Sequence, residues 1–232
     1  MAKSALIVGT GTGISASTAR ALAADGYKLT LAARRTDKLG DLARETNAHV
    51  VSADATRAEA VTALFDAAET ANGPLDAVLY NASFRTRGPL IDLNPSDVEK
   101  TLMVSAYGGF LVGQEAARRM IPRGAGAILF TGASASVKGY AQSAPFAMGK
   151  FALRGLAQSM ARELGPKGIH VAHVVIDGGV RSVASGRVEN KDAAPDSLLD
   201  PDAIAATYLH VIKQPRSAWS MEVELRPWVE RF

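Results

Sequence analysis

The chain has 232 residues, 47% of them hydrophobic, and a formal net charge of +3 with a sequence pI of about 9.2. It contains no cysteine, which excludes disulfides, thiolate nucleophiles and cysteine-bound zinc, and its histidines show no metal-ligand spacing. The basic residues form no dense block that would track nucleic acid, and the apolar start is too short for a signal segment or a membrane span. We therefore expect one cytoplasmic domain over residues 1–232, without a metal, a membrane contact or a nucleic-acid partner.

Short apolar runs rich in β-branched residues alternate with longer segments of helical periodicity. The runs predicted to be strands are, in chain order, ALIVG, KLTLAA, AHVVSA, LDAVLY, GAILFTG, IHVAHVVI and SMEVEL. Such an alternation is typical of right-handed βαβ units that build a parallel sheet with helices on both faces. The sequence thus predicts a doubly wound α/β fold.

Three helices have clear sequence signals. One covers residues 14–25 and ends at Gly26. A long one opens at Asn94 with Pro95 in its first turn, and another runs from about 141 to 164 before Gly165. Residues 181–201, after the sixth strand, are polar and contain proline, which predicts either a lid over a ligand site or a plain surface loop. We expect this segment and residues 84–87 to determine the choice of substrate.

The first strand leads into a glycine-rich loop, LIVGTGTGISAS. Its three glycines stand before a helix that begins near Ile14, where glycine lets the backbone approach a pyrophosphate and the helix N-terminus offers N–H groups to it. The nucleotide-binding candidates in this loop are Gly9, Gly11, Thr12, Gly13 and Ile14.

The second strand ends in Arg34 and Arg35, with no acidic residue there to hold a ribose 2′-hydroxyl. A guanidinium pairs well with a 2′-phosphate, so the sequence favours NADP(H) over NAD(H). Two solvated arginines at a strand end are the alternative reading.

From residue 5 to about 182 the chain resembles the short-chain dehydrogenase/reductase family. The family's TGxxxGxG motif falls on residues 8–15, where Gly9 and Gly13 match and Ser15 replaces the last glycine. Further matches are the adenine-contacting pair Asp54 and Ala55 after the third strand, and Asn81 and Ala82 of the NNAG turn after the fourth, where Ser83 replaces glycine.

The resemblance implies a seven-stranded Rossmann-type sheet and hydride transfer between a nicotinamide and a carbonyl or alcohol. It implies that Asp54, Ala55, Asn81 and Ala82 contact the cofactor. It also places the backbone near Gly178, Gly179 and Val180 at the nicotinamide carboxamide. Relatives pair through the long helices after the fourth and fifth strands, so a homodimer or homotetramer is implied.

Family members use a Tyr-x-x-x-Lys pair with a serine and an asparagine, and the lysine makes the tyrosine more acidic and holds the nicotinamide ribose. By spacing, these positions fall on Phe146, Lys150, Ala133 and Ser105, so only Lys150 is retained.

Two side chains are candidates to replace the missing proton donor. Ser134 stands next to the lost serine position, and Asp177 stands where the family has proline and is placed to pair with Lys150 or to donate a proton. The alternatives are a serine that satisfies turn backbone and an aspartate that caps a turn before glycine. The predicted catalytic set is thus Lys150, Ser134 and Asp177.

Two functions follow from this pattern. One is an NADP(H)-dependent oxidoreductase that reduces a small carbonyl or activated alkene through a non-standard proton relay. The other is a catalytically inactive NADP(H)-binding regulator or partner subunit, in which Lys150 only anchors the ribose.

Overall fold

The computed structural model describes residues 2–182, 184, 186–189, 192 and 194–230. Seven strands form one sheet: β1 (Ser4–Val8), β2 (Lys28–Ala33), β3 (His49–Ser52), β4 (Ala77–Tyr80), β5 (Gly126–Thr131), β6 (Ile169–Ile176) and β7 (Glu222–Leu225). Their order is β3-β2-β1-β4-β5-β6-β7, and every neighbouring pair is parallel. The doubly wound α/β fold and its seven strands are confirmed.

Among the described residues, seven α-helices cover the two faces of this sheet. They are α1 (Ile14–Ala24), α2 (Gly40–Thr46), α3 (Ala58–Asn72), α4 (Pro95–Leu102), α5 (Gly108–Met120), α6 (Ala144–Leu164) and α7 (Pro201–Lys213). Helices α3, α5 and α6 share one apolar core with Leu6 and Val8 of β1, whereas α1, α2 and α7 share the other with Ala5 and Ile7. Because alternate side chains of a strand point to opposite faces, the central strands are apolar throughout.

The helix predicted to open at Asn94 begins as expected. Asn94 Oδ1 accepts a hydrogen bond from the Ser96 N–H at 3.0 Å, and Pro95 is the first helical residue. A π turn over Met103–Tyr107 then separates α4 from α5. The buried Tyr80 hydroxyl donates to the Val104 carbonyl of this turn, so the widened turn supplies an acceptor that a regular helix would use internally.

Helix α6 begins at Ala144 rather than at residue 141. Gln142 has a φ of 58°, which lies in the left-handed region and is incompatible with a right-handed helix. The preceding residues instead form a turn that borders the site described below.

The order of the strands reverses direction at β1, which lies between β2 and β4. In an open parallel sheet, the crevice at such a point, outside the carboxyl ends of the strands, is where ligands bind. The segment after β6 returns to this edge: Val180 bridges Leu199, and Arg181 Nη2 lies 2.6 Å from Asp200 Oδ2. Both ends of the predicted lid are therefore joined, while residues 183, 185, 190, 191 and 193 lie outside the described residues.

Two expected absences can be compared with the described residues. None of their helices combines the length and the hydrophobicity needed to span a bilayer. Within the same residues, no group of three or more histidine or acidic side chains is arranged to hold a metal ion.

Candidate active site

The loop between β1 and α1 passes directly over the turn that follows β4. Gly9 has a φ of +85°, and a Cβ on Gly9 would lie 2.3 Å from the backbone nitrogen of Ala82. Glycine alone meets both demands. At Gly11 and Gly13 a Cβ would meet no atom within 4 Å, and Thr12 between them is exposed. One glycine of the loop thus sets its path, and two leave space for a ligand.

The serine that stands in place of the family's last loop glycine has a structural role. Ser15 Oγ donates to the Gly9 carbonyl at 3.1 Å and accepts a hydrogen bond from Asn81 Nδ2 at 2.7 Å. The Asn81 backbone N–H donates to the Val8 carbonyl at 2.8 Å. The loop after β1 and the turn after β4 are therefore held together by a side-chain link that glycine could not make.

Two clefts lie at the carboxyl edge of the sheet and share Asn81 and Ser83 as lining residues. The first, of about 320 Å³, lies over the ends of β1 to β4. The second, of about 680 Å³, lies over the ends of β4, β5 and β6 and includes Ile14 at the start of α1. Together they form a continuous groove with the positive end of the α1 dipole beside it.

The first cleft contains the predicted adenosine-end residues. Arg34 and Arg35 are exposed at the end of β2, and neither forms an ion pair within the described part of the chain. Asp54 Oδ1 accepts hydrogen bonds from the Thr56 backbone N–H at 3.0 Å and from Thr56 Oγ1 at 2.8 Å. The backbone hydrogen bond is the main cause that lowers the pKa of Asp54. Ala55, which also lines this cleft, is buried.

Lys150 lies at the bottom of the second cleft. Its side chain, 3% exposed, donates from Nζ to the Thr131 carbonyl at the end of β5 over 2.8 Å. Burial lowers the pKa of Lys150 to about 8. The ring centroid of Phe146, one helical turn earlier, is 5.9 Å from Lys150 Nζ and 4.8 Å from the Arg85 guanidinium carbon. The ring thus contacts two cations and supplies no hydroxyl.

The two serines beside Ala133 have different surroundings. Ser134 is partly buried and lines the second cleft. Ser136 is fully buried, accepts a hydrogen bond from the Ala133 backbone N–H at 3.1 Å, and lies 3.3 Å from His173 Nε2. Ser134 is therefore the serine that a substrate can reach.

His173 belongs to a buried group that the sequence analysis did not single out. His173 Nδ1 is 3.8 Å from Glu222 Oε1, so serine, histidine and carboxylate stand in the order of a hydrolytic triad. Both His173 and Ser136 are 0% exposed, which denies a substrate access to the hydroxyl. Burial lowers the pKa of His173 to about 4, and the neutral ring supports the loop that carries Ala133 and Ser134.

The prediction that Asp177 pairs with Lys150 is wrong. Asp177 is 1% exposed, and its Oδ2 lies 3.5 Å from Lys138 Nζ and 3.2 Å from Arg226 Nη2. Asp177 is not among the residues that line the second cleft. A carboxylate enclosed between two other cations is not placed to carry a proton to a substrate, so its role in the structure is to join β6 to the segments that carry Lys138 and Arg226.

The backbone after β6 lies where the nicotinamide end of a cofactor is expected. Gly178 and Gly179 line the second cleft, and a Cβ on Gly178 would lie 2.6 Å from Pro227 Cδ. Val180 instead packs against the apolar core of α1 and α7 and bridges Leu199, and it does not line either cleft.

The sequence and the structure were compared with those of known proteins. The family model described as short chain dehydrogenase matches residues 3–192. The chain belongs to the short-chain dehydrogenase/reductase family. A short-chain dehydrogenase from Rhodopseudomonas palustris has a TM-score of 0.83 and 35% identity, with 97% of this chain and 99% of that chain covered.

Two further relatives show what else this short-chain dehydrogenase/reductase resembles. The (21S)-21-acetoxyl-apo-melianone synthase SDR of Melia azedarach is 33% identical to this chain, and the match covers 73% of this chain. The same match covers 64% of that relative's length. An alcohol dehydrogenase from the archaeon Thermococcus sibiricus, complexed with 5-hydroxy-NADP, has a TM-score of 0.85 and 26% identity, with 99% of this chain and 98% of that chain covered.

The three positions that we predict to correspond to the catalytic tyrosine, serine and asparagine of the short-chain dehydrogenase/reductase family are Phe146, Ala133 and Ser105. Phe146 and Ala133 line the second cleft without a polar side-chain atom. Ser105 is fully buried in the π turn, and its Oγ lies 3.5 Å from the Phe84 carbonyl. Lys150 and Ser134 both line the second cleft, so these two of the three predicted catalytic residues share one site.

Arginines are the feature of this site that sequence reasoning missed. The second cleft contains Arg85 and Arg87 from the loop after β4, and Arg187 from the segment after β6. Their separation along the chain gives no local pattern, and residues 84–87 were expected only to influence substrate choice.

Proposed function

We propose that this chain is an NADP(H)-dependent reductase of a small carbonyl compound or an activated alkene. The observation that carries this proposal is Lys150, buried at the bottom of a cleft that continues from the glycine loop. Burying an ammonium group is costly unless hydrogen bonds or a partner charge replace its lost hydration. A bound ligand can supply those groups. The ribose hydroxyls of a nicotinamide nucleotide and the oxygen of a carbonyl substrate are groups that such a cation binds.

The residues present fit a dinucleotide cofactor. Gly11 and Gly13 leave open space at the start of α1, where free backbone N–H groups suit a pyrophosphate. Arg34 and Arg35 suit a 2′-phosphate, and Lys150 suits the nicotinamide ribose. When bound in its reduced form, the cofactor supplies a hydride, and the protein supplies its position and orientation.

Lys150 and Ser134 are our candidates for the proton relay. With a pKa of about 8, Lys150 holds a proton at neutral pH that it can pass through water to a developing alkoxide. The Ser134 hydroxyl, in the same cleft, can donate a hydrogen bond to the carbonyl oxygen. A general acid contributes a factor of about 10²–10⁴ to such a reaction, so a partial replacement predicts a slower enzyme than its relatives.

Cofactor preference is expected to depend on the two arginines after β2. In Arg34→Ala and Arg35→Ala, the Kd for NADPH should rise by about 10-fold to 100-fold, since a hydrogen bond to a charged group contributes about 1.5–3 kcal/mol. The Kd for NADH should change little. The measurement is a fluorescence titration of both cofactors, with the exposed Arg44→Ala as the charge-matched control. An equal loss for NADPH and NADH would contradict the assignment.

The alternative function is an inactive NADP(H)-binding regulator or partner subunit. The changed positions Phe146, Ala133 and Ser105 favour it, because none places a proton donor of the usual kind in the cleft. A screen of NADPH oxidation with aldehydes, ketones, quinones and enones separates the two functions, provided that NADPH binding is measured in the same preparation.

Restoring the tyrosine makes this screen sharper. Phe146→Tyr places a hydroxyl one turn from Lys150, and we expect it to increase carbonyl reduction by about 10-fold or more. Met148→Tyr, which adds a tyrosine at an exposed position of the same helix outside both clefts, is the matched control and should leave carbonyl reduction unchanged. If neither the native protein nor Phe146→Tyr oxidises NADPH with any compound while both bind it, the regulator is the better reading.

We further propose that the chain acts as a single domain in a homodimer or homotetramer, with residues 181–201 as a lid over the second cleft. Phe110 of α5 and Phe151 of α6 are 39% and 44% exposed, which supports a partner surface on these neighbouring helices. Arg187 and Leu198, which line the second cleft, support the lid.

A further inference from the structure

Three arginines converge on the second cleft. Arg85 and Arg87 come from the loop after β4, and Arg187 comes from the segment after β6. The pKa of Arg85 is lowered, first by burial and then by the positive charges of Arg87 and Arg187. Arg85 is thus near enough to each of the other two guanidinium groups to be repelled by it.

No carboxylate among the described residues forms an ion pair with any of these three arginines. The acidic side chain on the lining of the second cleft is Glu230, against the cations Arg85, Arg87, Arg187 and Lys150. The three arginines are exposed at the mouth of the cleft, where an anion that enters can reach them and relieve the repulsion between like charges. The excess of positive charge therefore favours an anionic ligand at this end of the groove.

Arg85 and Arg187 are held by contacts that do not use their guanidinium N–H donors. Arg85 packs against the Phe146 ring at 4.8 Å, as a cation over an aromatic ring. The Arg187 stem passes over Gly179, where a Cβ would lie 3.5 Å from Arg187 Cδ, and its backbone exchanges two hydrogen bonds with Ser182 at 2.8 and 2.9 Å. Planar guanidinium donors positioned in this way suit the paired oxygens of a carboxylate or phosphate.

The cluster also lies near the proposed point of reaction. The same Phe146 ring lies 4.8 Å from the Arg85 guanidinium carbon and 5.9 Å from Lys150 Nζ. Both cations line the same cleft, so one small ligand whose carbonyl oxygen meets Lys150 can also reach Arg85. The cofactor pyrophosphate has its own place at the start of α1, beside Gly11 and Gly13.

We infer that the substrate carries an anionic oxygen group, a carboxylate or a phosphate, a few bonds from its reacting carbonyl, and that Arg85, Arg87 and Arg187 bind this group. The inference rests on the proposed function, because it names the substrate class of that reductase. Two classes of compound carry such an anionic group near a carbonyl: short-chain oxo acids and ketones that bear a phosphate.

The test measures binding, separately from turnover. Isothermal titration of the protein in saturating NADP⁺ uses two matched pairs of probes: benzoylformate with its neutral isostere 1-phenyl-1,2-propanedione, and dihydroxyacetone phosphate with dihydroxyacetone. We expect the charged member of at least one pair to bind more tightly. Arg85→Gln and Arg187→Gln should each weaken its binding by about 10-fold or more and leave the neutral member unchanged. Arg44→Gln, far from the cleft, is the control.

Each outcome is decisive. If only benzoylformate binds more tightly than its neutral partner, the substrate is an oxo acid. If only dihydroxyacetone phosphate does, the substrate is a phosphorylated ketone. If both do, the site binds either kind of anion. Equal affinity for charged and neutral members, or no binding of either anion, overturns the inference. A loss of NADP⁺ affinity in the two variants, with probe affinity retained, overturns it in favour of a cofactor contact. If the anion site is present but no carbonyl compound is ever reduced, the reductase proposal fails and the site stands.

Discussion

Replacing Lys150 with methionine is expected to stabilise the cofactor-free protein at pH 7 while reducing NADPH oxidation by a factor of about 10²–10⁴. Burial lowers the pKa of Lys150 from 10.5 to about 8, which corresponds to a penalty of about 3 kcal/mol for the protonated form. The lost hydrogen bond to the Thr131 carbonyl offsets about 1 kcal/mol of the gain. A net increase of about 2 kcal/mol in the free energy of unfolding remains.

The stabilisation has a pH dependence of defined sign. Below pH 8, Lys150 is protonated in both the folded and the unfolded protein, so the folded state carries the full penalty. Between about pH 8 and 10.5 the unfolded chain binds more protons than the folded one, and the native protein gains stability as the pH rises. The advantage of Lys150→Met should therefore disappear above pH 10.5.

Urea unfolding of native protein and Lys150→Met at pH 7 and at pH 10.5 measures this directly. Lys167→Met is the control, because the Lys167 side chain is 45% exposed and pairs with Glu163 on the surface. Its effect should stay within about 0.5 kcal/mol. A Lys150→Met protein that is less stable than the native one at pH 7, or that keeps its advantage at high pH, would refute the buried-cation argument.

The second large effect is expected at Gly9. Gly9→Ala should lower the free energy of unfolding by about 2–5 kcal/mol and abolish NADPH binding, because left-handed strain of about 1–2 kcal/mol adds to overpacking of about 1–3 kcal/mol. The new Cβ would meet backbone, at 2.3 Å from the Ala82 nitrogen, so no side-chain rotation relieves the contact.

Gly11→Ala is the matched control for that effect. No atom lies within 4 Å of a Cβ on Gly11, and its φ is not in the left-handed region. It should therefore fold with nearly native stability but bind NADPH more weakly, since the methyl group projects into the space left for the ligand. Urea unfolding and NADPH titration of both variants give the comparison. Similar losses of stability in Gly9→Ala and Gly11→Ala would show that the two glycines do not have the separate roles assigned to them.

The sheet was predictable because its signal is local. The runs that form the central strands β1, β4 and β5 are short and apolar, and burial on both faces of a parallel sheet requires that pattern. The π turn before α5 was not predictable in this way. It depends on the buried Tyr80 hydroxyl, which needs an acceptor and reaches Val104, far along the chain.

The site was predictable where backbone geometry determines the residue type, as at Gly9. It was not predictable where partners come from distant segments. Asp177 stands close in sequence to the expected nicotinamide contacts, yet its partners Lys138 and Arg226 come from two other loops. The meeting of Arg85 with Arg187 likewise depends on how two loops fold over the end of the sheet.

The arrangement of charge along the groove has a consequence for how quickly ligands arrive. Arg34 and Arg35 stand at one end, and Arg85, Arg187 and Lys150 at the other, on the lining of the two joined clefts. Asp54 and Glu230 also line the groove, so its charge is an excess of positive over negative groups. A concave surface with such an excess concentrates field lines and guides oppositely charged molecules during diffusion. Capture of a polyanionic nucleotide should therefore be fastest in dilute buffer and slow as ionic strength rises, because screening confines the attraction to about 8 Å at physiological salt.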